Sequence, residues 1–186
     1  NNKLYKYPIF LQSKMARLKK GVAYRRLDRP YTRKSKYREK NFVRATPTSK
    51  VVKYDMGNTQ KEFPIHLDCI SLESFQFRHN AIEAARLTCN RALERDLGKS
   101  GYHLKIRVYP HQILRENPLA TGAGADRMST GMKKAFGKPI GLAARIKEGQ
   151  VLFSVSVEKQ NKTAAKSALQ RIKNKIPCKC RVLERV

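Results

Sequence analysis

Several groupings in this 186-residue chain hold residue types and spacings that could do chemistry. Gly122-Ala-Gly124-Ala-Asp126 has the opening of a dinucleotide-binding turn, in which glycines let backbone N–H groups approach a pyrophosphate. Arg127 stands where that turn needs its third glycine, and the run does not lead from a strand straight into a helix, so this reading fails. Gly137-Lys138 is followed by Pro139 instead of Ser or Thr, with no glycine at the spacing a P-loop requires. His111, Asp126, Ser129 and Thr130 supply the parts of a nucleophile, base and acid on paper, yet any polar loop holds such residues. Cys178-Lys-Cys180 has one intervening residue where common zinc knuckles have about two to four. With His66, His79, His103 and His111 scattered singly, no metal and no cofactor is expected. The four cysteines (Cys69, Cys89, Cys178, Cys180) read as buried reduced thiols, the last two sharing one face of a strand. The chain is not read as an enzyme.

The residues left over point to binding. Lys and Arg number 41 against 14 Asp and Glu, a formal net charge of +27. Self-repulsion of that size opposes compaction unless a polyanion offsets it, and clustered basic residues are the electrostatic footprint of nucleic-acid binding. An anionic membrane is the rival partner. It is set aside because no run of 18 apolar residues exists, and no basic helix carries a bulky apolar face.

Two segments concentrate the cations. Residues 1–40 hold 14 Lys and Arg against Asp28 and Glu39, a net of 14 − 2 = +12, with five of the chain's eight tyrosines. Within this arm Arg25, Arg26, Arg29, Arg33, Lys34, Lys36, Arg38 and Lys40 fall close together, and Arg44 follows. Arg forks pair bidentately with phosphates, and tyrosine rings between them suit base stacking, so the arm is expected to order on an RNA partner. Residues 111–141 hold five of the ten glycines and five basic residues, including Arg115, Arg127, Lys133, Lys134 and Lys138. Glycines at this spacing, with Pro118 and Pro139 each removing a ladder donor, argue against strands, so the whole of 111–141 is read as one long functional loop. Within it Met128, Met132 and Phe136 suit a small apolar plug.

The elements that must position these segments follow from periodicity. Residues 51–54 and 63–72 read as strands separated by a turn at Gly57-Asn58. A helix is predicted over 74–97, where Ile82, Ala85, Cys89, Ala92, Leu93 and Leu97 recur at helical spacing before Gly98. Residues 102–109 alternate as a half-buried strand ending at Pro110. Residues 142–146 and 151–157 flank a hairpin turn at 148–150. Asn161 is expected to cap a second helix, with Ala165, Ala168, Leu169, Ile172 and Ile176 inward and Lys162, Lys166, Arg171, Lys173 and Lys175 outward. Pro177 ends it, and 178–183 returns as a strand. The fold class expected is α+β: a mostly antiparallel sheet sandwich with two helices on one side, plus the basic N-terminal arm and the glycine-rich loop. Residues 1–14 form an extension ahead of Met15, which reads as the start; 15–49 form the arm and 50–186 the globular domain.

At these residues the chain resembles a known family, the universal large-subunit ribosomal protein sixteen, in its archaeal and eukaryotic branch (ribosomal protein L-ten-e). The resemblance rests on Gly124-Ala-Asp126-Arg127-Met128, Gly131-Met132 and Ala135-Phe136-Gly137-Lys138-Pro139 in the central loop. Pro30-Tyr31-Thr32-Arg33, Glu83-Ala84-Ala85-Arg86, Ile106-Arg107-Val108 with Pro110-His111, and Gly149-Gln150-Val151 add to it. It runs from about residue 15 to about 177, while residues 1–14 lie outside the pattern and the last nine match weakly.

The resemblance implies a structural constituent of the large ribosomal subunit, cytoplasmic, bound to large-subunit rRNA beside the A and P sites. It implies A-site and P-site tRNA, neighbouring large-subunit proteins and late assembly factors as partners. The loop from about Ile113 to Arg127 is then the tRNA-proximal tip, with Arg115, Asn117, Gly122, Gly124, Asp126 and Arg127 nearest tRNA. Lys133, Lys134 and Lys138 become rRNA anchors, and the arm with Arg25, Arg26, Arg29, Arg33, Lys34, Lys36, Arg38 and Arg44 threads rRNA. The alternatives are a non-ribosomal RNA chaperone, or an RNA-processing enzyme working through Asp126 and His111.

Overall fold

A computed structural model describes residues 20–27, 37–41, 43, 45–116 and 137–185. Among the described residues, eight strands and two α-helices run in the order β1 (Asp55–Gly57), β2 (Ile65–Ser71), β3 (Phe75–Arg78), α1 (His79–Leu97), β4 (Tyr102–Ile106), β5 (Gln112–Glu116), β6 (Lys138–Ile146), β7 (Val151–Val157), α2 (Lys162–Lys173) and β8 (Cys180–Arg185). They form two sheets, one of five strands in the order β1-β4-β7-β2-β8 and one of three in the order β3-β6-β5. Every pairing is antiparallel. The fold is α+β, as the alternation of strand and helix periods predicts.

Strand alternation sorts the large sheet into an apolar and a polar face. Leu67, Cys69, Leu104, Ile106, Phe153, Val155 and Val157 are buried together with the helix stripes. Those stripes are Ile82, Ala85, Cys89, Ala92 and Leu93 on α1, and Ala165, Ala168, Leu169 and Ile172 on α2. The two helices pack on each other; α2 lies on β7, β2 and β8, while α1 touches β3, β4 and β6 and so joins both sheets. On the opposite face of the large sheet His66 Nδ1 bonds Ser156 Oγ at 2.8 Å, and Arg107 donates to Ser154 Oγ at 3.0 Å. There too Arg185 donates to Asp68 at 2.7 Å.

Several expectations need correction. The helix predicted over 74–97 begins only at His79, because Phe75–Arg78 is strand β3. Phe75, Gln76 and Phe77 are all buried, and pairing with β6 outweighs helical periodicity at the helix's first turn. Residues 51–54 are not a strand: the Ser49 hydroxyl accepts from Val51 N–H at 3.2 Å, a local turn that competes with the ladder. The pairing starts with Tyr54 carbonyl accepting from Ile106 N–H at 2.8 Å.

Residues 148–150 do not close a hairpin, since β6 and β7 belong to different sheets. They make a corner, fixed where Gly149 N–H donates to Ser71 O at 2.8 Å and Ser71 N–H to Gln150 O at 3.0 Å. Asn161 precedes α2, yet its side chain makes no capping bond; a 3₁₀ turn over Lys159–Asn161 leads in instead. The 178–183 strand begins at Cys180 and runs to Arg185.

The loop expected over 111–141 is strand at both ends, as Gln112–Glu116 pairs with Lys138–Ile146. Pro139 is tolerated because it sits beside the register shift between Leu114 and Arg115, beyond the four residues of β6 that β3 pairs. Gly141 makes close room there for a helix residue. A Cβ would come 3.2 Å from Nε2 of the buried His79, whose Nδ1 accepts from Lys50 N–H at 3.4 Å. Burial lowers the His79 pKa, and the charges of Lys50 and Arg78 lower it further, so the ring stays neutral at neutral pH.

Cys69, Cys89 and Cys180 are buried and Cys178 is half-buried, all as free thiols, with the Sγ atoms of Cys178 and Cys180 3.5 Å apart. Burial pushes the Cys89 thiol up to about 12. Among the described residues no three His, Cys, Asp or Glu side chains are placed to hold a metal ion.

Two glycines at turns test this fold. At Gly149 φ is +76° with nothing within 4 Å of an added Cβ, so Gly149→Ala costs only the left-handed backbone strain, about 1–2 kcal/mol. At Gly57 φ is +85° and a Cβ would overlap the Tyr102 carbonyl oxygen, so Gly57→Ala is expected to cost more, about 3 kcal/mol or above. Urea denaturation of the two variants beside the parent measures the difference; equal losses would place the β1–β4 approach elsewhere.

Candidate nucleic-acid interface

The arm reaches the body through backbone and side chain together. A 3₁₀ turn over Gly21–Tyr24 leads into Arg25, whose carbonyl accepts from Gln76 N–H at 2.8 Å and so extends the β3 edge by one ladder bond. The Gln76 amide donates to Tyr24 O at 3.0 Å. The Arg78 guanidinium lies 5.9 Å from the centre of the Tyr24 ring, a cation–π distance. Gly21 packs close to the same arginine, where a Cβ would stand 3.4 Å from its terminal nitrogen. Arg25 and Arg26 are left exposed on this docked stretch.

The Tyr24 hydroxyl donates to Glu116 Oε2 at 3.1 Å. Glu116 is the last residue of β5, opposite Lys138 at the start of β6, so these two residues are the mouth of the glycine-rich segment. The docked stretch of the arm and the loop stem therefore lie side by side. Burial, then the hydrogen bond and charge of Glu116, push the Tyr24 phenol up to about 12, with Arg78 pulling the other way. A raised tyrosine pKa favours the neutral hydroxyl in the fold. The bond's contribution is complete below about pH 10, the ordinary tyrosine value, and is lost as pH rises towards 12.

Of the residues the sequence singles out, Arg25, Arg26 and Lys138 are exposed around this junction, and Arg115 is half-buried within β5, in the stem. Arg38 opens a second 3₁₀ turn over Arg38–Lys40, where the Lys40 ammonium lies 5.1 Å from the Tyr37 ring centre. Ile113 and Leu114 are buried, so the free part of the loop cannot begin at Ile113. Arg29, Arg33, Lys34, Lys36, Arg44, Asn117, Gly122, Gly124, Asp126, Arg127, Lys133 and Lys134 lie outside the described residues, as do Met128, Met132 and Phe136.

The staple residues Tyr24, Gln76 and Glu116 carry no sequence signal, since 92 positions separate the tyrosine from the glutamate. The outer face of α2 adds Lys166, Arg171 and Lys173, all exposed, with exposed Lys175 just beyond its end, while Lys162 pairs with Glu184 at 2.7 Å. His103 on β4 bonds Asp55 at 3.3 Å. Among the described residues no helix is long and apolar enough to cross a membrane. Dispersed, mostly solvent-facing cations on rigid elements are suited to phosphate contacts, which fix position without reading sequence.

A family model described as ribosomal protein L16p/L10e matches residues 28–183. Large ribosomal subunit protein uL16 of Methanocella arvoryzae is 47% identical over 170 residues, covering 91% of this chain and 95% of that protein. The proteins of the same name from Methanococcus maripaludis and Methanoculleus marisnigri are each 46% identical, over 152 and 151 residues. They cover 82% and 81% of this chain, and 88% and 89% of their own lengths.

Tyr24→Phe removes the bond to Glu116 while keeping the ring beneath Arg78. A hydrogen bond contributes about 1 kcal/mol net, so the docked arm is expected to open about fivefold more often. Limited trypsin digestion should then cut faster after Arg25 and Arg26 in the variant. Identical cleavage rates would show that the hydroxyl does not hold the arm.

Proposed function

Because this chain belongs to the ribosomal protein L16p/L10e family, we propose that it is a structural constituent of the large ribosomal subunit that binds large-subunit rRNA beside the A and P sites and supports tRNA near the peptidyl transferase centre. The family is a structural component of the ribosome and not an enzyme. The observation that carries the reading is the junction at Tyr24 and Glu116. It brings the basic arm and the stem of the glycine-rich segment to one place, with Arg25, Arg26 and Lys138 exposed around it.

On this reading the arm of residues 15–49 follows rRNA grooves through phosphate pairing, and the domain of residues 50–186 holds the loop stem rigid. Arg25, Arg26, Arg29, Arg33, Lys34, Lys36, Arg38 and Arg44 are the arm's rRNA contacts, with Lys133, Lys134 and Lys138 anchoring the far side of the loop. Arg115, Asn117, Gly122, Gly124, Asp126 and Arg127 form the part towards A-site and P-site tRNA. Neighbouring large-subunit proteins and late assembly factors are the other partners, and the site of action is the cytoplasmic ribosome. The β5–β6 pairing supports such a role physically, because a segment that meets tRNA gains precision from a stem built on strands.

Replacing Arg25 and Arg26 with glutamine tests the electrostatic part. Affinity for large-subunit rRNA should fall, and the slope of log K against log salt should become shallower by about 0.9 for each phosphate that is no longer neutralised. An unchanged slope would mean that both side chains are merely solvated. In cells, the tagged chain should sediment with large subunits through a moderate salt wash; recovery chiefly as free protein would overturn the ribosomal reading.

A further inference from the structure

Residues 159–183, the stretch that holds α2, carry eight Lys and Arg and no Asp or Glu. The arrangement of these cations on the helix decides whether they form a binding face or a merely solvated one. Ala165, Ala168, Leu169 and Ile172 fill the buried side. Directly opposite, at about 100° per residue, Thr163, Ser167 and Gln170 fall within about 60° of one another, joined by Asn174 at the C-cap. All four are exposed and neutral, and each side chain ends in a hydrogen-bonding group. At about 1.5 Å per residue this ridge is about 16 Å long.

Cations flank the ridge on both sides. Lys166 and Lys173 lie along one side and Arg171 along the other, with Lys175 in the turn beyond. Lys166, Lys173 and Lys175 make no ion pair among the described residues. Arg171 feels the charge of Asp96, but both oxygens of that carboxylate already accept from Arg95, at 2.7 and 3.2 Å. Lys162 is held by Glu184 and is left out of the flank.

The face narrows its own occupant. It shows no exposed large apolar side chain, which a membrane surface or the centre of a protein interface would need. It has no aromatic ring on which a single strand could stack. A neutral donor and acceptor ridge between two cationic flanks is left, on a helix fixed by its packing. The minor groove of A-form RNA is wide and shallow and displays 2′-hydroxyls between its phosphate strands. Its major groove is too deep and narrow for side chains to read.

We propose that α2 lies along the minor groove of a double-helical segment of large-subunit rRNA. Thr163, Ser167, Gln170 and Asn174 meet 2′-hydroxyls, while Lys166 and Lys173 on one side and Arg171 and Lys175 on the other pair with phosphates of the two strands. The proposal rests on the rRNA-binding reading above and deepens it by naming the form of RNA and a second contact surface. That surface is separate from the arm junction, because α2 rests on strands of the large sheet and the junction belongs to the small one. Recognition of this kind follows shape and demands no base sequence.

A tethered source of hydroxyl radicals locates the face. The full chain carries an iron chelate at Gln160→Cys, exposed just ahead of the ridge, and is bound to deproteinised large-subunit rRNA. The parent chain, treated alike, supplies the background from its own thiols. Cuts are expected on both strands of one rRNA double helix, each set shifted to the 3′ side, as a source in the minor groove gives. Adding Lys166→Gln, Arg171→Gln and Lys173→Gln should remove those cuts while the arm still retains the rRNA. The slope of log K against log salt should become shallower by about 0.9 for each phosphate lost. Ser167→Ala with Gln170→Ala should weaken rRNA binding about 5- to 30-fold with that slope unchanged, since alanine suits an exposed helix position and only hydrogen bonds are lost.

Cuts that fall only on single strands, shift to the 5′ side, survive the three glutamines, or are missing while rRNA is retained would overturn the minor-groove face. An alanine pair that binds as tightly as the parent would do the same, and each of these leaves the rRNA reading intact. No retention at all would sink both. In assembled subunits, cleavage of a neighbouring polypeptide with the rRNA untouched would give α2 to a protein partner and equally end the proposal.

Discussion

A surplus of 27 positive charges has to be kept out of a small interior, and the arrangement of the described residues follows from that constraint. None of their lysines or arginines is buried, and Asp68 is the one buried carboxylate, paired with Arg185. An unpaired buried charge costs several kcal/mol, more than local packing returns, so cations can occupy only outer faces, edges and connections. Helix α2 obeys this along its whole length. Its stripe of Ala165, Ala168, Leu169 and Ile172 is sealed against the sheet, and nearly every outward position is a cation or a small polar residue. The cost of the solution is mutual repulsion across the surface, which a polyanion relieves and a neutral partner does not.

The second organising feature is α1. It meets β3, β4 and β6, strands of both sheets, and His79 at its start fills the space that Gly141 leaves beside β6. The small sheet would otherwise be three short strands with one face to bury, which is marginal as an independent unit. Held by α1, it becomes a rigid mount. One edge strand, β3, takes up the arm through Gln76 and Arg25; the other, β5, ends at Glu116 where the glycine-rich segment departs. The place where the cations gather is thus set by the core residues of a helix that itself supplies none of the proposed RNA-binding side chains.

How far the sequence discloses this can be judged element by element. The period-2 run through Leu104, Ile106 and Val108 and the helical stripe from Ile82 to Leu93 are legible because each element buries one face against a single partner layer. The errors share a cause. Phe75–Arg78, the 148–150 corner and the strands within 111–141 depend on a second sheet whose members lie far apart in sequence. Pro139 argues against a strand locally, and only pairing of β6 with Arg115 and Glu116 across the bulge makes one. For the site, composition pointed to the chemistry proposed here, phosphate binding by Arg and Lys, but no periodicity could disclose that Tyr24 reaches Glu116. That bond is a product of the fold and leaves no local trace.

The junction also bears on how two long, glycine-rich or cation-rich segments can act as one surface. The entropy of closing a chain segment grows only slowly with its length, so most of the cost lies in fixing its ends. Here one end of the arm and both ends of the 117–136 segment are already fixed to the small sheet, within reach of a single tyrosine side chain. On the proposed reading, an RNA that engages the arm would meet the loop at high effective concentration, the second engagement being intramolecular in character. Small individual affinities, each mainly a phosphate pairing, then combine without any one cation being decisive. The rigidity that makes this possible is local: a paired β5–β6 stem, a one-bond extension of β3, and a neutral tyrosine hydroxyl on a carboxylate.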